Sequence, residues 1–529
     1  MKYCIEIAQK IRKGLPISDS DIVSIFQNIG WEKLGELNLE LATVLLSSKD
    51  PHLQNWGYIS ARRAWIQSGF DNQVFSVYLD YLERRQDIET IRSCFRQQGI
   101  AALGKNDYNS AIKYFNRWQY CYTQYLTIDR YEYDFDLLDL IEKKLLDNHL
   151  EITPVHSPLN NGKIRIVYLV HGISSPSSIL TKILLNIIRY HDRSRFEIHV
   201  FTTENYLKLV AMPGRVFIQQ FKDADCPLHF PPAYLHGFAK LKTIVQEMRQ
   251  LRPHILVTCA ALADFEHFFI AALKPAPVRV GFIFAAPPQF ISPSFNYGIS
   301  WIDHIILDCP ILCLNSGVTY LPEEKPKSSH MKSDFGIPEN AIVLATAGRH
   351  VKFQNKDFFI NIWEAMHNLP TLHLAIIGPS LGQVPSLNEI TSEDIRNRVH
   401  IFPWSTSYEV YLSVSDIYLD TYPSGGGVTL YDAALQHLPI ISFSDDYSQK
   451  FDQSTWNPAQ ELFPEGTIVI VNRDQLQDLA PAICKLGNDP QLRKDLGEAA
   501  YIATNETRLH IPDNVKKIET LYLDLAGKL

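Results

Sequence analysis

Between Ile417 and Phe443 the chain runs from a short apolar stretch, Ile417–Leu419, through Asp420 into Pro-Ser-Gly-Gly-Gly. A segment compatible with a helix follows, and then a second apolar stretch, Pro439–Phe443. Strand, glycine turn, helix and strand at these lengths describe one unit of a parallel, doubly wound sheet. The spacing predicts the helix over 429–438. Gly425, Gly426 and Gly427, followed by Val428 and Thr429, leave the backbone N–H groups of the first helical turn unshielded by side chains. Orphan donors and the positive end of the helix dipole then face one point, which suits a phosphate. Asp432, one turn further on, stands where a carboxylate accepts from ribose hydroxyls beside that phosphate. The same residues also read as an ordinary Gly-rich connection with an acid favouring the helix start.

The rest of the chain divides by pattern. Apolar positions recur at helical spacing up to about residue 150, and Ala101–Phe115 resembles the turn and second helix of a tetratricopeptide repeat. Gly104, Asn106 and Asp107 supply its turn, and Tyr108, Ala111 and Phe115 share one face. An ordinary helical bundle is the plainer reading of this region, since no partner repeat accompanies the segment. A composition shift at 152–162 marks a linker, after which strands and helices alternate. Strands are expected at Ile164–Val170, Phe196–Thr202, Ile255–Cys259, Val278–Phe284 and His304–Leu307. After a charged linker at Pro322–Ser333, a second series is expected at Ala341–Ala347, Leu372–Ile377, His400–Phe402, Ile417–Leu419, Pro439–Phe443 and Thr467–Val471. These short apolar runs suit parallel strands buried on both faces. The domains are therefore read as 1–155 all-helical, 160–325 and 334–514 Rossmann-like, and 515–529 a C-terminal helix.

Composition narrows the function classes. A chain of 529 residues with 46% hydrophobic content holds several packed cores and is not disordered. Its net charge of −8 argues against a general nucleic-acid binder. Eight cysteines show no zinc-ligand spacing. Lys2, Glu6 and Lys10 break any signal-peptide pattern, and Lys274, Arg279 and prolines interrupt the most apolar long stretch, His267–Pro288. The expected location is cytoplasmic, with no transmembrane segment.

Arg349 and Lys352 follow directly on the strand ending near Gly348, which puts two cations at a strand end where a diphosphate leaving group needs neutralising. Arg can bind phosphate in a bidentate manner and Lys acts as a point charge, although surface cations after a strand are the bland alternative. The loop holding Pro403, Trp404 and Tyr408 offers rings to a nucleobase, with core packing the ordinary fate of Trp404.

From about Lys163 onward the chain resembles GT-B glycosyltransferases, in particular the O-GlcNAc transferases and their bacterial adhesin N-glucosyltransferase relatives. IRIVYLV at Ile164–Val170, RFEIHVFT at Arg195–Thr202, the stretch His254–Val280 ending in ALKPAPVRV, DHIILD at Asp303–Asp308 and VTYLPE at Val318–Glu323 carry the likeness. It implies an α/β GT-B fold, with two facing doubly wound Rossmann-like domains preceded by an all-α N-terminal domain. It also implies a UDP-sugar co-substrate, no cofactor, and metal-independent, inverting transfer, in line with the lack of an Asp-x-Asp placed at a strand end. The family's diphosphate Lys falls on Lys352 and its neighbouring Gln on Arg349. Its donor turn and ribose Asp fall on Gly425–Thr429 and Asp432, and the position beside the uracil falls near Tyr408. Plain glycines replace the family's Asn, His or Thr in the turn. The active-site His position falls near Pro176, leaving His171 as the nearest substitute, unless that residue is structural. Phe284-Ala285-Ala286-Pro287 replaces the acceptor-side Gly-Tyr-Pro-Gly. A protein acceptor is expected; a lipid or polysaccharide acceptor, or a non-catalytic GT-B subunit that binds or stabilises a partner, are the alternatives.

Overall fold

The computed structural model describes residues 41–125, 134–148, 162–173, 178–211, 215–259, 264–282, 295–300, 310–314, 330–390, 392–403, 405, 407–444 and 457–528, with isolated positions before residue 22. The chain forms two compact units, Met1–Leu126 and Thr127–Leu529. In the first, helices Pro51–Gln67, Asn72–Arg85, Ile88–Gly104 and Tyr108–Tyr125 follow one another. Asp50 and Asp87 cap two of them by accepting from the N–H groups of His52 and Thr90. The last two helices pair through a tight turn in which Asn106 takes a left-handed φ of 59°. Tyr108, Ala111 and Phe115 are buried along one face, as their spacing requires. Gly99 makes the pairing close, since a Cβ there would stand 2.3 Å from the Phe115 ring. Trp118 and Tyr122 are buried on the same helix, and the Arg92 guanidinium lies 5.4 and 5.2 Å from their ring centroids.

Helix Phe135–Asn148, grouped by pattern with the N-terminal helices, lies in the second unit and packs on helix Phe265–Ala272. Buried Glu142 pairs there with Arg279 at 3.2 Å and Lys274 at 3.0 Å.

Two all-parallel sheets follow. The first holds β1 (Ile164–Val170), β2 (Phe196–Thr202), β3 (Leu228–His229), β4 (Ile255–Cys259), β5 (Val278–Phe282), β6 (Tyr297–Ser300) and β7 (Ile311–Cys313), in the order β3-β2-β1-β4-β5-β6-β7. The second holds β8 (Ile342–Ala347), β9 (Leu372–Gly378), β10 (Val399–Pro403), β11 (Ile417–Leu419), β12 (Ile440–Phe443) and β13 (Val469–Val471), in the order β10-β9-β8-β11-β12-β13. Every residue of β4, β5, β11 and β12 is buried, as strands covered on both faces should be. β3, β6 and β7 were not anticipated; β3 (Leu-His) and β6 (Tyr-Gly-Ile-Ser) offer no unbroken apolar run. The strand expected at His304–Leu307 lies outside the described residues. The helix after the glycine turn is shorter than expected, Val428–Ala434, because His437 turns the chain at φ 57° towards β12.

The C-terminal helix, Ile511–Ala526, begins before the expected Val515 and carries Pro512 in its first turn. It belongs to the core of the first sheet through Val515, Ile518 and Tyr522. Tyr168 Oη lies 2.7 Å from His191 Nε2, and His191 Nδ1 lies 2.9 Å from Glu519 on that helix. Burial holds His191 below its ordinary pKa despite the carboxylate. Among the described residues no helix is long and apolar enough to cross a membrane.

Candidate functional site

In each sheet the strand order reverses once, between β1 and β4 in the first and between β8 and β11 in the second. Beyond the carboxyl ends of the strands such a reversal opens a crevice, where doubly wound sheets hold ligands. Most of the residues singled out by sequence fall at these two points.

At the second sheet, β8 ends at Ala347 and leads through Gly348 to Arg349, which is exposed, and Lys352, which is half-buried. β9 ends beside it: Gly378 has φ 121°, and a Cβ there would stand 2.2 Å from the Gly348 carbonyl oxygen. The Lys352 ammonium crosses the reversal and donates to the carbonyl of Gly425. The sequence thus brings together the predicted cation and the predicted glycine turn.

Asp420, immediately after β11, is fully buried and holds the turn. Its Oδ1 accepts from the N–H of Thr421 at 2.8 Å and of Gly426 at 2.7 Å, and its Oδ2 accepts from Ser442 Oγ at 2.7 Å. Burial pushes its pKa up, while Ser442, Lys352 and the two backbone N–H groups pull the other way. The need for glycine follows from this packing. A Cβ on Gly425 would stand 2.6 Å from both Asp420 Oδ2 and Asn457 Nδ2, and one on Gly426 would stand 2.0 Å from Thr429 Oγ1. The Gly426 N–H therefore faces the buried carboxylate, whereas the glycine pattern alone had it turned outward. Gly427 occupies the N-cap position, and Val428 and Thr429 open the helix.

Asp432 is half-buried on that helix and accepts from the hydroxyl of Tyr408. Burial and the Asp432 charge hold the Tyr408 hydroxyl well above its ordinary pKa. The two residues assigned to ribose and base recognition are therefore direct neighbours. Trp404 lies outside the described residues.

At the first sheet, His171 follows β1 directly and is exposed. β1 pairs with β4, Val170 beside Cys259, and the chain beyond β4 returns to the same point as helix Phe265–Ala272. Asp264 caps this helix, its Oδ1 accepting from the N–H of Glu266 at 3.0 Å and of His267 at 3.3 Å. Its Oδ2 lies 3.1 Å from His171 Nδ1 and 3.6 Å from His267 Nε2. Burial alone would raise Asp264, but His267, His171 and the two backbone N–H groups hold it below the ordinary carboxylate value. Burial pushes His267 down to about 4, so its ring is neutral at pH 7. Pro176 and the segment Phe284–Pro287 lie outside the described residues.

Three members of these clusters, Asp420, Asp264 and His267, were not among the sequence candidates. Asp420 was visible only as the end of a strand. Asp264 and His267 did carry a signal, an acid three residues before a histidine at a helix start, which puts both on one face.

No protein-family model and no curated protein sequence matches the chain. Solved structures do. A mutant form of an O-GlcNAc transferase of Thermobaculum terrenum aligns over 99% of this chain and 97% of its own length at 14% identity with a TM-score of 0.55. TarM aligns over 68% of this chain and 98% of its own length at 10% identity with a TM-score of 0.50. With its two parallel sheets and preceding helices, the chain has the two-domain α/β GT-B fold and resembles the O-GlcNAc transferase structure over nearly its whole length.

Proposed function

We propose that this chain is a glycosyltransferase that takes a sugar from a UDP-linked donor at the second sheet and passes it, with inversion, to an acceptor at the first. The observation that carries this reading is the meeting of Lys352, the glycine turn and the Tyr408–Asp432 pair at one strand-order reversal. Lys352 reaches the turn with one of its ammonium donors, and a diphosphate seated over the turn would compete for that charge. Arg349, exposed at the same strand end, adds a second cation. The pair neutralises the leaving UDP without a metal at the diphosphate. Asp432 receives the ribose hydroxyls, and Tyr408 holds its carboxylate in place while bordering the base. On the first sheet His171, exposed and held by Asp264, is the acceptor-side catalytic group. A protein acceptor and a cytoplasmic setting complete the proposal. The T. terrenum O-GlcNAc transferase supports it as a shared fold.

A panel of UDP-sugars, assayed by UDP release with and without cellular protein extract, tests the reading. One donor should turn over, and faster with extract. Absence of measurable UDP affinity by calorimetry would refute it in favour of a non-catalytic subunit.

A further inference from the structure

We propose that the face formed by helices Tyr206–Ala211 and Arg215–Asp223 and the loop around Tyr234 docks on a surface of anionic lipid. The first helix follows β2 after three residues, and its sequence, Tyr-Leu-Lys-Leu-Val-Ala, holds one charged position. Leu209 turns inward with Phe217 and Phe221 of the second helix, and all three belong to the core of the first sheet. With that side anchored, Tyr206, Leu207 and Val210 are left exposed, as is Val216 on the second helix. Leu207 is 64% exposed and Tyr234 in the nearby loop 78%. These elements are contiguous: the two helices pack on each other, the Tyr206 ring centroid lies 5.1 Å from that of Phe230, and Asn205 Nδ2 donates to the carbonyl of Ala233 at 3.0 Å.

A helix apolar on both sides is ordinarily buried in a large core or at a lipid boundary. Single exposed apolar residues need no account, but five gathered at one place mark an interaction surface. Shape and charge say what covers it. Leu207 and Tyr234 each leave more than half of their surface outside, so they project rather than line a groove. A lipid layer takes up projecting side chains without a matching pocket. Tyrosines beside aliphatic residues suit a membrane–water boundary, where the ring is buried and the hydroxyl stays wet. From Asn205 to Lys222 the sequence carries Lys208, Arg215 and Lys222 and no acid. Arg215 and Lys222 are exposed. Of the flanking acids, Glu204 is buried, and Asp223 and Asp225 stand at the far end of the second helix. Basic residues interleaved with apolar ones complement phosphate headgroups and the acyl boundary beneath them.

The patch starts at the carboxyl end of β2, where Thr202 pairs with Val170 of β1, the residue before His171. If the transferase reading holds, its acceptor crevice therefore opens at the same end of the sheet as the lipid-bound face. Docking itself does not rest on that reading.

Full-length protein should be sedimented with phosphatidylcholine vesicles, with and without phosphatidylglycerol, in the absence of any nucleotide sugar. It should bind the vesicles that contain phosphatidylglycerol, and less at high salt. Leu207→Ser combined with Tyr234→Ser should weaken that binding at least about tenfold, and Arg215→Ala combined with Lys222→Ala about tenfold. All four side chains are exposed, and a wild-type melting temperature identifies each variant as folded. A wild type that stays in the supernatant with both kinds of vesicle would overturn the proposal. So would equal binding to vesicles without phosphatidylglycerol, or undiminished binding by the Leu207→Ser, Tyr234→Ser protein. Concentration-dependent self-association of the wild type without vesicles, abolished by the same pair of substitutions, would overturn it in favour of a second copy of the chain.

Discussion

At the reversal between β8 and β11, the buried Asp420 carboxylate takes bonds from two backbone N–H groups and Ser442, and Lys352 closes on the turn from the other side. At the reversal between β1 and β4, the buried Asp264 oxygen faces two imidazoles, and the His267 ring has no hydrogen-bond partner among the described residues. The same topology thus yields one crevice built around a carboxylate with three hydrogen bonds to the turn and β12, and one in which a carboxylate oxygen faces two imidazoles. In the first, internal bonds set the shape of a backbone turn, so a ligand meets a preformed surface. In the second, the carboxylate and the two imidazoles come together from the end of β1 and the start of one helix.

The sharpest way to break this contrast is to remove the carboxylate that organises the turn after β11. Asp420→Ala strands the Thr421 and Gly426 N–H groups and Ser442, and should cost about 3–5 kcal/mol in urea unfolding. A loss below about 1 kcal/mol would mean that the turn holds itself. A pH comparison sharpens the point. Burial raises Asp420, so the native chain binds that proton more tightly than the unfolded chain. The stability this gives is fully present below the unfolded value of 3.8 and is lost as pH rises through the raised native value. The stability advantage of wild type over Asp420→Asn should shrink across that window.

Next in size is Lys352→Ala, which should lower kcat roughly a hundredfold or more while the fold survives. Turnover near wild type in the UDP-release assay would remove Lys352 from the mechanism. Asp432→Ala should then weaken UDP binding by about 1.5–3 kcal/mol. Tyr408→Phe should weaken it by only about 0.5–1.5 kcal/mol, and by less in the Asp432→Ala background, because the two side chains act as one unit. Equal Tyr408→Phe effects in both backgrounds would separate them. The smallest effect belongs to the other crevice. His267→Leu should shift unfolding stability by no more than about 1 kcal/mol, since no hydrogen bond is lost. A loss as large as that of Asp420→Ala would erase the contrast.

Much of this was legible in the residues. Ile164–Val170, Phe196–Thr202, Ile255–Cys259 and Ile417–Leu419 are strands at the bounds their apolar runs predict. A run buried on both faces ends where its polar or glycine neighbours begin, so period and punctuation sufficed. β3 (Leu-His) and β6 (Tyr-Gly-Ile-Ser) escaped because polar and glycine residues break their apolar runs, and three-residue β7 was missed although β11 is no longer. Helix Phe135–Asn148 looked like its N-terminal neighbours because its amphipathic pattern records that it packs, and not on what. Its packing on helix Phe265–Ala272 and the pairing of Glu142 with Arg279 tie it to the first sheet.

The sequence alone determined the alternation of elements, the cations after β8 and the requirement for glycine after β11. All of these follow from local sterics and from chemistry within a few residues. The tertiary structure decided what those glycines pack against, because Asp420, Ser442 and Asn457 approach the turn from separate strands and loops. It also decided that His171 meets Asp264 and His267, since the contact depends on β1 and β4 lying side by side. Strand order is set by the burial of whole faces, a sum over many distant residues, and no short stretch of chain carries it.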